Sequence, residues 1–286
     1  MMTEPTVEPT LQALAENYKF KIRHIGEKHE VIKHIKGLIN NTKPNPERLF
    51  IAEGIWSHNK IVELGLTVRS FVFCPQFIHT AQAARLAEAA ALVADEICIV
   101  SEKTFLKISE RDKADGLLSV CVFPARDLNS LRLGKDALIV VLDGCEIPGN
   151  VGTIARTCDG ANVDAVFLCN RRVRLTHPKV IKGSMGAALT VPFIEFDTVD
   201  NCLAWLAKSK FNVYVADTRA DKFYYEHVYA NRSALVMGSE RYGVSREWYA
   251  SAQLLSIPMS GSCDSLNVGV AASIILYDMS VKMKKV

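Results

Sequence analysis

The sequence predicts an α/β protein built in two parts, and three observations carry that prediction. Short apolar runs alternate with helix-patterned segments along almost the whole chain. Some of the runs, ALIVVL above all, are continuously apolar, as in parallel strands covered on both faces. The chain is 286 residues long, more than a typical single domain.

The elements follow in order. Residues 1 to about 10 read as a disordered tail. From Leu11 to Asn41 apolar residues recur at helical spacing (Leu11, Leu14, Ile22, Ile25, Ile32, Ile35, Leu38), which predicts a helical extension closed by Asn40, Asn41 and Pro44. Strand RLFIAEG, a helix from Ser57 to Leu64, strand RSFVFCP, an Ala-rich helix from Thr80 to Ala94, strand EICIV, a helix begun by Ser101 and strand LLSVCVF come next. This alternation predicts a compact α/β domain over residues 45–123, preceded by the tail and extension (1–44) and followed by a linker (124–135). Over 136–286 the pattern returns with strands ALIVVLDG, AVFLCN, VPFIEF, NVYVADT, SALVMGSE and LLSIPM. Helices of three to four turns are expected between them, and a last helix from near Leu266 to the Lys-rich end.

Composition narrows the function classes. With 49% hydrophobic and 23% charged residues the chain belongs with globular rather than disordered or fibrous proteins. The longest apolar runs, Ala137 to Leu142 and Val268 to Leu276, fall short of the ~20 residues that span a bilayer. The start, MMTEPTVEPT, is acidic and Pro-containing where a signal peptide is basic and then apolar, so a cytoplasmic location is expected. Eight cysteines without a C-x-x-C pair imply neither a zinc site nor disulfides, and no metal is expected. A net charge of +3 is only mildly basic, but Lys and Arg cluster at Lys19, Lys21, Arg23, Lys28, Lys33 and Lys36, and again at Arg171, Arg172, Arg174, Lys179 and Lys182.

Common nucleotide motifs fail. Gly144 to Gly149 has the Walker spacing, yet Asn150 and Val151 stand where Lys and Ser or Thr are required, and Gly238 to Gly243 is followed by Val244. No G-x-G-x-x-G follows a strand and there is no G-x-S-x-G elbow. Three loops remain, each directly after an apolar run of the second half. The first, PGNVGTIART, holds Asn150, a candidate helix cap, and Arg156 about two turns on. The second is Met237-Gly238-Ser239-Glu240-Arg241-Tyr242-Gly243. The third runs from Ile257-Pro258-Met259 through a small-residue stretch to Ser265-Leu266-Asn267. Loops at one edge of a parallel sheet are where α/β proteins bind ligands, and three of them predict one shared site.

In these loops the sequence resembles the SpoU (TrmH-type) branch of the SPOUT RNA 2′-O-ribose methyltransferases. NVGTIARTCDGAN matches the family's first motif, LVMGSERYGV its second and LSIPMSGSCDSLNVGVAASIILYD its third, with KGSMGAALTVPF between them. The resemblance covers about residues 136 to 281; upstream, RLFIAEG and ISERDKADGLLSV look like the small substrate-binding domain that often precedes the catalytic one. It implies a SPOUT fold with a C-terminal trefoil knot, which pattern reasoning alone rejects because knots are rare, preceded by a small L30e-like α/β domain. It implies S-adenosylmethionine as cofactor, with Met237, Gly238, Ile257, Met259 and Leu266 around it, and a polar site of Asn150, Arg156, Glu240, Ser265 and Asn267. Cys158 and Asp159 depart from the family's small or apolar residues. The implied partners are structured RNA, rRNA rather than tRNA, and a second copy of the chain.

Overall fold

The computed structural model describes residues 7–41 and 44–286. Described residues up to Pro124, with Thr176–Pro178, form one compact unit, and Ala125–Leu175 with Lys179–Val286 form the other. Up to residue 6 the expected tail lies outside the described residues; from Val7 the chain is helical.

The first unit opens with α1 (Val7–Asn17), β1 (Ile22–His24) and α2 (Glu30–Ile39). These replace the one helical run predicted from Leu11 to Asn41. Its apolar spacing joined two separate stripes: Ile22 lies in a strand, in register with Ile97, and α2 restarts at His29, whose Nδ1 accepts from the Val31 N–H at 3.3 Å. β2 (Leu49–Glu53), α3 (Gly54–Leu64), β3 (Val68–Phe73), α4 (Ala81–Val93), β4 (Ala94–Ile99), α5 (Glu102–Phe105) and β5 (Leu117–Val122) follow. The sheet order is β1-β4-β3-β5-β2, parallel except at β5, which runs antiparallel to both neighbours.

Helix α3 starts three residues before the predicted Ser57. Gly54, at φ +88°, makes the sharp strand-to-helix turn that an L side chain resists, and Asp115 accepts from the Ile55 N–H at 2.9 Å. Beneath that turn His58 is buried. Its Nδ1 lies 2.9 Å from the Gly54 carbonyl, which only accepts, so Nδ1 carries the proton and Nε2 accepts from the Ser119 hydroxyl at 3.0 Å.

The second unit contains β6 (Ala137–Asp143), α6 (Pro148–Gly160), β7 (Ala165–Cys169), α7 (Pro178–Ser184), α8 (Ala187–Thr190), β8 (Phe193–Glu195), α9 (Val199–Lys208), β9 (Asn212–Ala216), β10 (Arg232–Met237), β11 (Gln253–Leu255) and α10 (Val268–Lys282). All strands are parallel, in the order β11-β9-β10-β6-β7-β8. Ile139, Val141, Phe167, Val215, Val236 and Trp248 are among the residues of its buried core. Only α6 and α9 have the length predicted for the connecting helices. Short 3-10 turns, Tyr224–Glu226 and Arg246–Ala250, stand after β9 and β10, because those segments lack helically spaced apolar residues. Helices α6 and α7 meet backbone to backbone: a Cβ on Gly152 would lie 2.9 Å from the Val180 carbonyl oxygen.

Strand order places the exits of β6 and β10 side by side at the middle of the sheet, where the chain turns from one half to the other. No helix among the described residues is long and apolar enough to cross a membrane.

Burial lowers the His58 pKa to about 4. Since the unfolded chain binds this proton near its ordinary value and the fold does not, the stability it contributes is complete above about pH 6.5 and is lost as pH falls toward 4. Between about pH 7.5 and about pH 5 the loss amounts to roughly 2 kcal/mol. Urea denaturation of the full chain at both values, with His58→Gln as the non-titrating control, should show this extra loss only in the wild type.

Candidate functional site

The site is organised from the end of β6. Its last residue, Asp143, is a carboxylate only 2% exposed. Oδ2 accepts from the Ser245 N–H at 2.7 Å and from Trp248 Nε1 at 3.1 Å, and Oδ1 accepts from Asn170 Nδ2 at 2.7 Å. These bonds fix the segments that leave β7 and β10 against the exit of β6. The buried Cys145 thiol donates to the Gly238 carbonyl at 3.6 Å, and burial pushes its pKa up to about 12, so it stays a neutral donor.

The second predicted loop is a tight turn, closed by Ser239 N–H to Gly243 carbonyl at 2.9 Å and Gly243 N–H to Ser239 carbonyl at 3.0 Å. A Cβ on Gly238 would lie 2.6 Å from the Val244 nitrogen and collide with the Gly243 backbone, so this turn admits only glycine there. It presents Glu240. Glu240 Oε1 accepts from Asn150 Nδ2 at 2.6 Å and Oε2 from the Glu146 N–H at 3.4 Å. Asn150 Oδ1 in turn accepts from Asn267 Nδ2 at 3.1 Å. Asn267 Oδ1 accepts from the Gly269 and Val270 N–H groups at 2.9 and 3.4 Å, and so caps α10. One polar chain, Glu240 to Asn150 to Asn267, therefore joins all three loops.

Asn150 is not the helix cap that sequence reasoning allowed. Helix α6 begins at Pro148 with Ile147 as its cap, and Asn150, buried in the first turn, bonds outward to Glu240 and Asn267. Between Ile257 and Leu266 no backbone N–H or C=O among the described residues pairs with another backbone group. Ser265 is exposed and donates to Asp264 Oδ1 at 3.2 Å.

These loops enclose a cavity of about 860 Å³ at the carboxyl edge of the sheet. Of the predicted site residues, Met237, Gly238, Glu240, Ile257, Met259, Ser265, Leu266 and Asn267 line it. Asn150 reaches it through Glu240 and Asn267. Arg156 does not line it. Six residues beyond Asn150 it lies about 120° round the same helix, exposed and without a hydrogen-bond or ion-pair partner among the described residues. Sequence reasoning missed Asp143 and also Asp217, Arg219 and Tyr249, which line the cavity from the β9 and β10 exits. The charged DTRAD stretch directly after an apolar strand is the signal that could have found Asp217 and Arg219.

Fold and site together define a parallel α/β protein whose pocket suits a nucleoside-sized ligand held by loop backbone and apolar walls, rather than a phosphate in a Gly-rich cradle. The sequence profile of the SpoU rRNA Methylase family matches residues 137–277, and that of the MRM3-like substrate binding domain matches residues 29–119. A relative, 23S rRNA (guanosine-2′-O-)-methyltransferase RlmB of Pasteurella multocida, is 34% identical over 192 residues, covering 64% of this chain and 78% of the relative. A solved RNA 2′-O ribose methyltransferase superposes with a TM-score of 0.77 at 28% identity, over 92% of this chain and all of that one. The AdoMet-bound rRNA methyltransferase from Sinorhizobium meliloti gives a TM-score of 0.81 at 22% identity over 91% of this chain and 97% of its own, a likeness of fold. The chain belongs to the SpoU rRNA methylase family.

The pocket fits S-adenosylmethionine on its own chemistry. Unpaired backbone donors and acceptors between Ile257 and Leu266 suit the polar edges of an adenine and an amino acid, while Met237, Leu255, Ile257 and Val268 give apolar walls.

Asp143→Ala should destabilise the protein by about 2 kcal/mol or more, because it leaves the Ser245 N–H and Trp248 Nε1 without their acceptor at a buried strand end, each costing roughly 1–3 kcal/mol. Thermal unfolding measures this. A loss below about 1 kcal/mol would mean that the loops hold without this carboxylate.

Proposed function

We propose that this chain is an S-adenosylmethionine-dependent RNA 2′-O-ribose methyltransferase acting on rRNA rather than tRNA. The observation that carries the reading is the Glu240–Asn150–Asn267 chain, which closes three family-matching loops round one cavity. The name of the Pasteurella relative supports rRNA as the substrate.

Met237, Gly238, Ile257, Met259 and Leu266 would hold the cofactor, which supplies a methyl group on a sulfonium. Glu240, Asn150 and Asn267 keep the cavity wall in one arrangement through charge-assisted and amide hydrogen bonds. Ser265 stands at the rim as a polar contact. Arg156, with its donors unoccupied, binds the phosphate next to the target ribose and orients the 2′-hydroxyl; its guanidinium stays protonated in proteins, which suits a positioning group better than a proton acceptor.

The connection from β10 through β11 to α10 is taken as the family's trefoil knot. In support, β11 pairs with β9 at the sheet edge, after which α10 returns to pack on α6 and β10. Residues 45–123 are read as an L30e-like RNA-binding domain, with 124–135 as the linker to the catalytic domain 136–286. A homodimer is also part of the reading: Val270, Tyr277 and Val281 are about half exposed along one face of α10, and Ile274 lies between them. A helix apolar on every side needs cover on every side.

Arg156→Ala should leave S-adenosylmethionine affinity within about twofold of wild type in calorimetry, while single-turnover methyl transfer to rRNA falls about 100-fold or more. Lysine should rescue little, since it lacks the planar fork. Transfer to a 2′-oxygen leaves a gap in the alkaline ladder of the product RNA, whereas near-wild-type rates in Arg156→Ala would remove the assignment.

Tyr277→Glu combined with Val281→Glu should convert the dimer to monomer in light scattering with the fold retained by circular dichroism. A wild type that is monomeric and active at every working concentration would end the dimer reading.

A further inference from the structure

At the rim of the cavity a second polar cluster stands apart from the Glu240–Asn150–Asn267 chain. Asp217 follows β9 with its side chain only 8% exposed. Its Oδ1 accepts from the Arg219 backbone N–H at 2.9 Å and from Arg219 Nε at 3.1 Å. Its Oδ2 accepts from Arg219 Nη2 at 2.8 Å and from the Tyr249 hydroxyl at 2.6 Å. Arg219 Nη2 also donates to the Tyr249 oxygen at 3.1 Å. The two segments so joined leave different strands, β9 and β10.

A surface ion pair with 79% of its Arg side chain exposed contributes little stability. What the arrangement does is hold a guanidinium plane still. Nε and Nη2 face the carboxylate, so Nη1 lies on the far side, and neither of its N–H groups has a partner among the described residues. Hydrogen bonds from Arg219 and Tyr249 keep the Asp217 carboxyl well below the usual carboxylate range, so the clasp stays charged and closed at any working pH. Arg246 also lines the cavity, and Arg241 is exposed on the adjoining turn.

We propose that Arg219, oriented by Asp217 and Tyr249, contacts a phosphodiester of the substrate RNA at the mouth of the cavity. The proposal rests on the reading of this chain as an RNA methyltransferase. A planar donor pair set in advance loses less side-chain entropy on meeting phosphate oxygens than a free arginine. The same pairing covers the Asp217 carboxylate, which would otherwise repel the strand. The high exposure of Arg219 favours a ligand arriving from solvent over one enclosed in the cavity.

The test uses the full chain and a fluorescent single-stranded RNA of about 20 nucleotides, since phosphate contacts are independent of sequence. Anisotropy titrations over a range of KCl give the slope of log affinity against log salt. Arg219→Ala should weaken RNA binding about five- to tenfold and lower that slope by roughly one contact, about 0.7 for a single strand. S-adenosylmethionine affinity and Tm should stay at wild-type values. Arg219→Lys should restore the slope but not the full affinity, and Tyr249→Phe should keep the slope with a smaller loss of affinity. Unchanged RNA affinity and slope in Arg219→Ala would overturn the proposal while leaving the methyltransferase reading intact. Loss of S-adenosylmethionine affinity with an unchanged RNA slope would also overturn it, assigning the guanidinium to the cofactor's carboxylate. A wild type that binds no RNA would remove both.

Discussion

The carboxylate of Asp143 is the fixed point from which the site is laid out. It ends the central strand of an all-parallel sheet, where an unpaired charge is costly to bury, and it takes donors from the segments leaving both neighbouring strands. Ser245 and Trp248 come from the β10 side and Asn170 from the β7 side. Because Ser245 lies five residues after Glu240, fixing it also limits where the Ser239–Gly243 turn can sit. The strand exits that would otherwise be independent loops thus share one anchor.

Helix α6 carries that order outward. Its first turn places Asn150 in the polar chain with Glu240 and Asn267, and farther along Thr157 shares a hydrogen bond with Ser273 of α10 at 2.7 Å. The two helices are therefore tied at their starts and again two turns on. A single helix carries a buried amide bonded to the cavity-lining Glu240 and Asn267 and an exposed guanidinium about 120° round from it. The two side chains are separated by the pitch of one helix, without a hinge between them.

In the first unit carboxylates play a local role. Glu53 accepts from the Glu110 N–H at 3.0 Å and Asp115 from the Ile55 N–H at 2.9 Å, which ties the 109–115 segment to the turn between β2 and α3. Burial raises the Glu53 carboxyl pKa, against the pull of its hydrogen bonds from the Ser109 hydroxyl and the Glu110 N–H. The arrangement makes a fixed surface from a stretch, SERDKADG, whose composition alone reads as loop.

The sequence by itself determined what depends on neighbours in the chain. Apolar runs located every strand of both sheets except β1, the failed Walker pattern excluded a phosphate cradle, and the second and third loop motifs named residues that prove to line one cavity. Gly238 was named through the family resemblance, and the structure supplies the physical reason, a turn with no room for a Cβ. Tertiary structure alone decided what depends on distant partners. Helical spacing over Leu11 to Asn41 could not reveal that Ile22 pairs with Ile97, since an edge strand is specified by the strand it meets. Asn150 read as a cap because a cap is a local bond, whereas its real partners lie 90 and 117 residues away. Asp143, Asp217 and Tyr249 were not named from the sequence. Their roles arise only when parallel strands far apart in sequence bring their exits to one edge, a placement that no periodicity encodes.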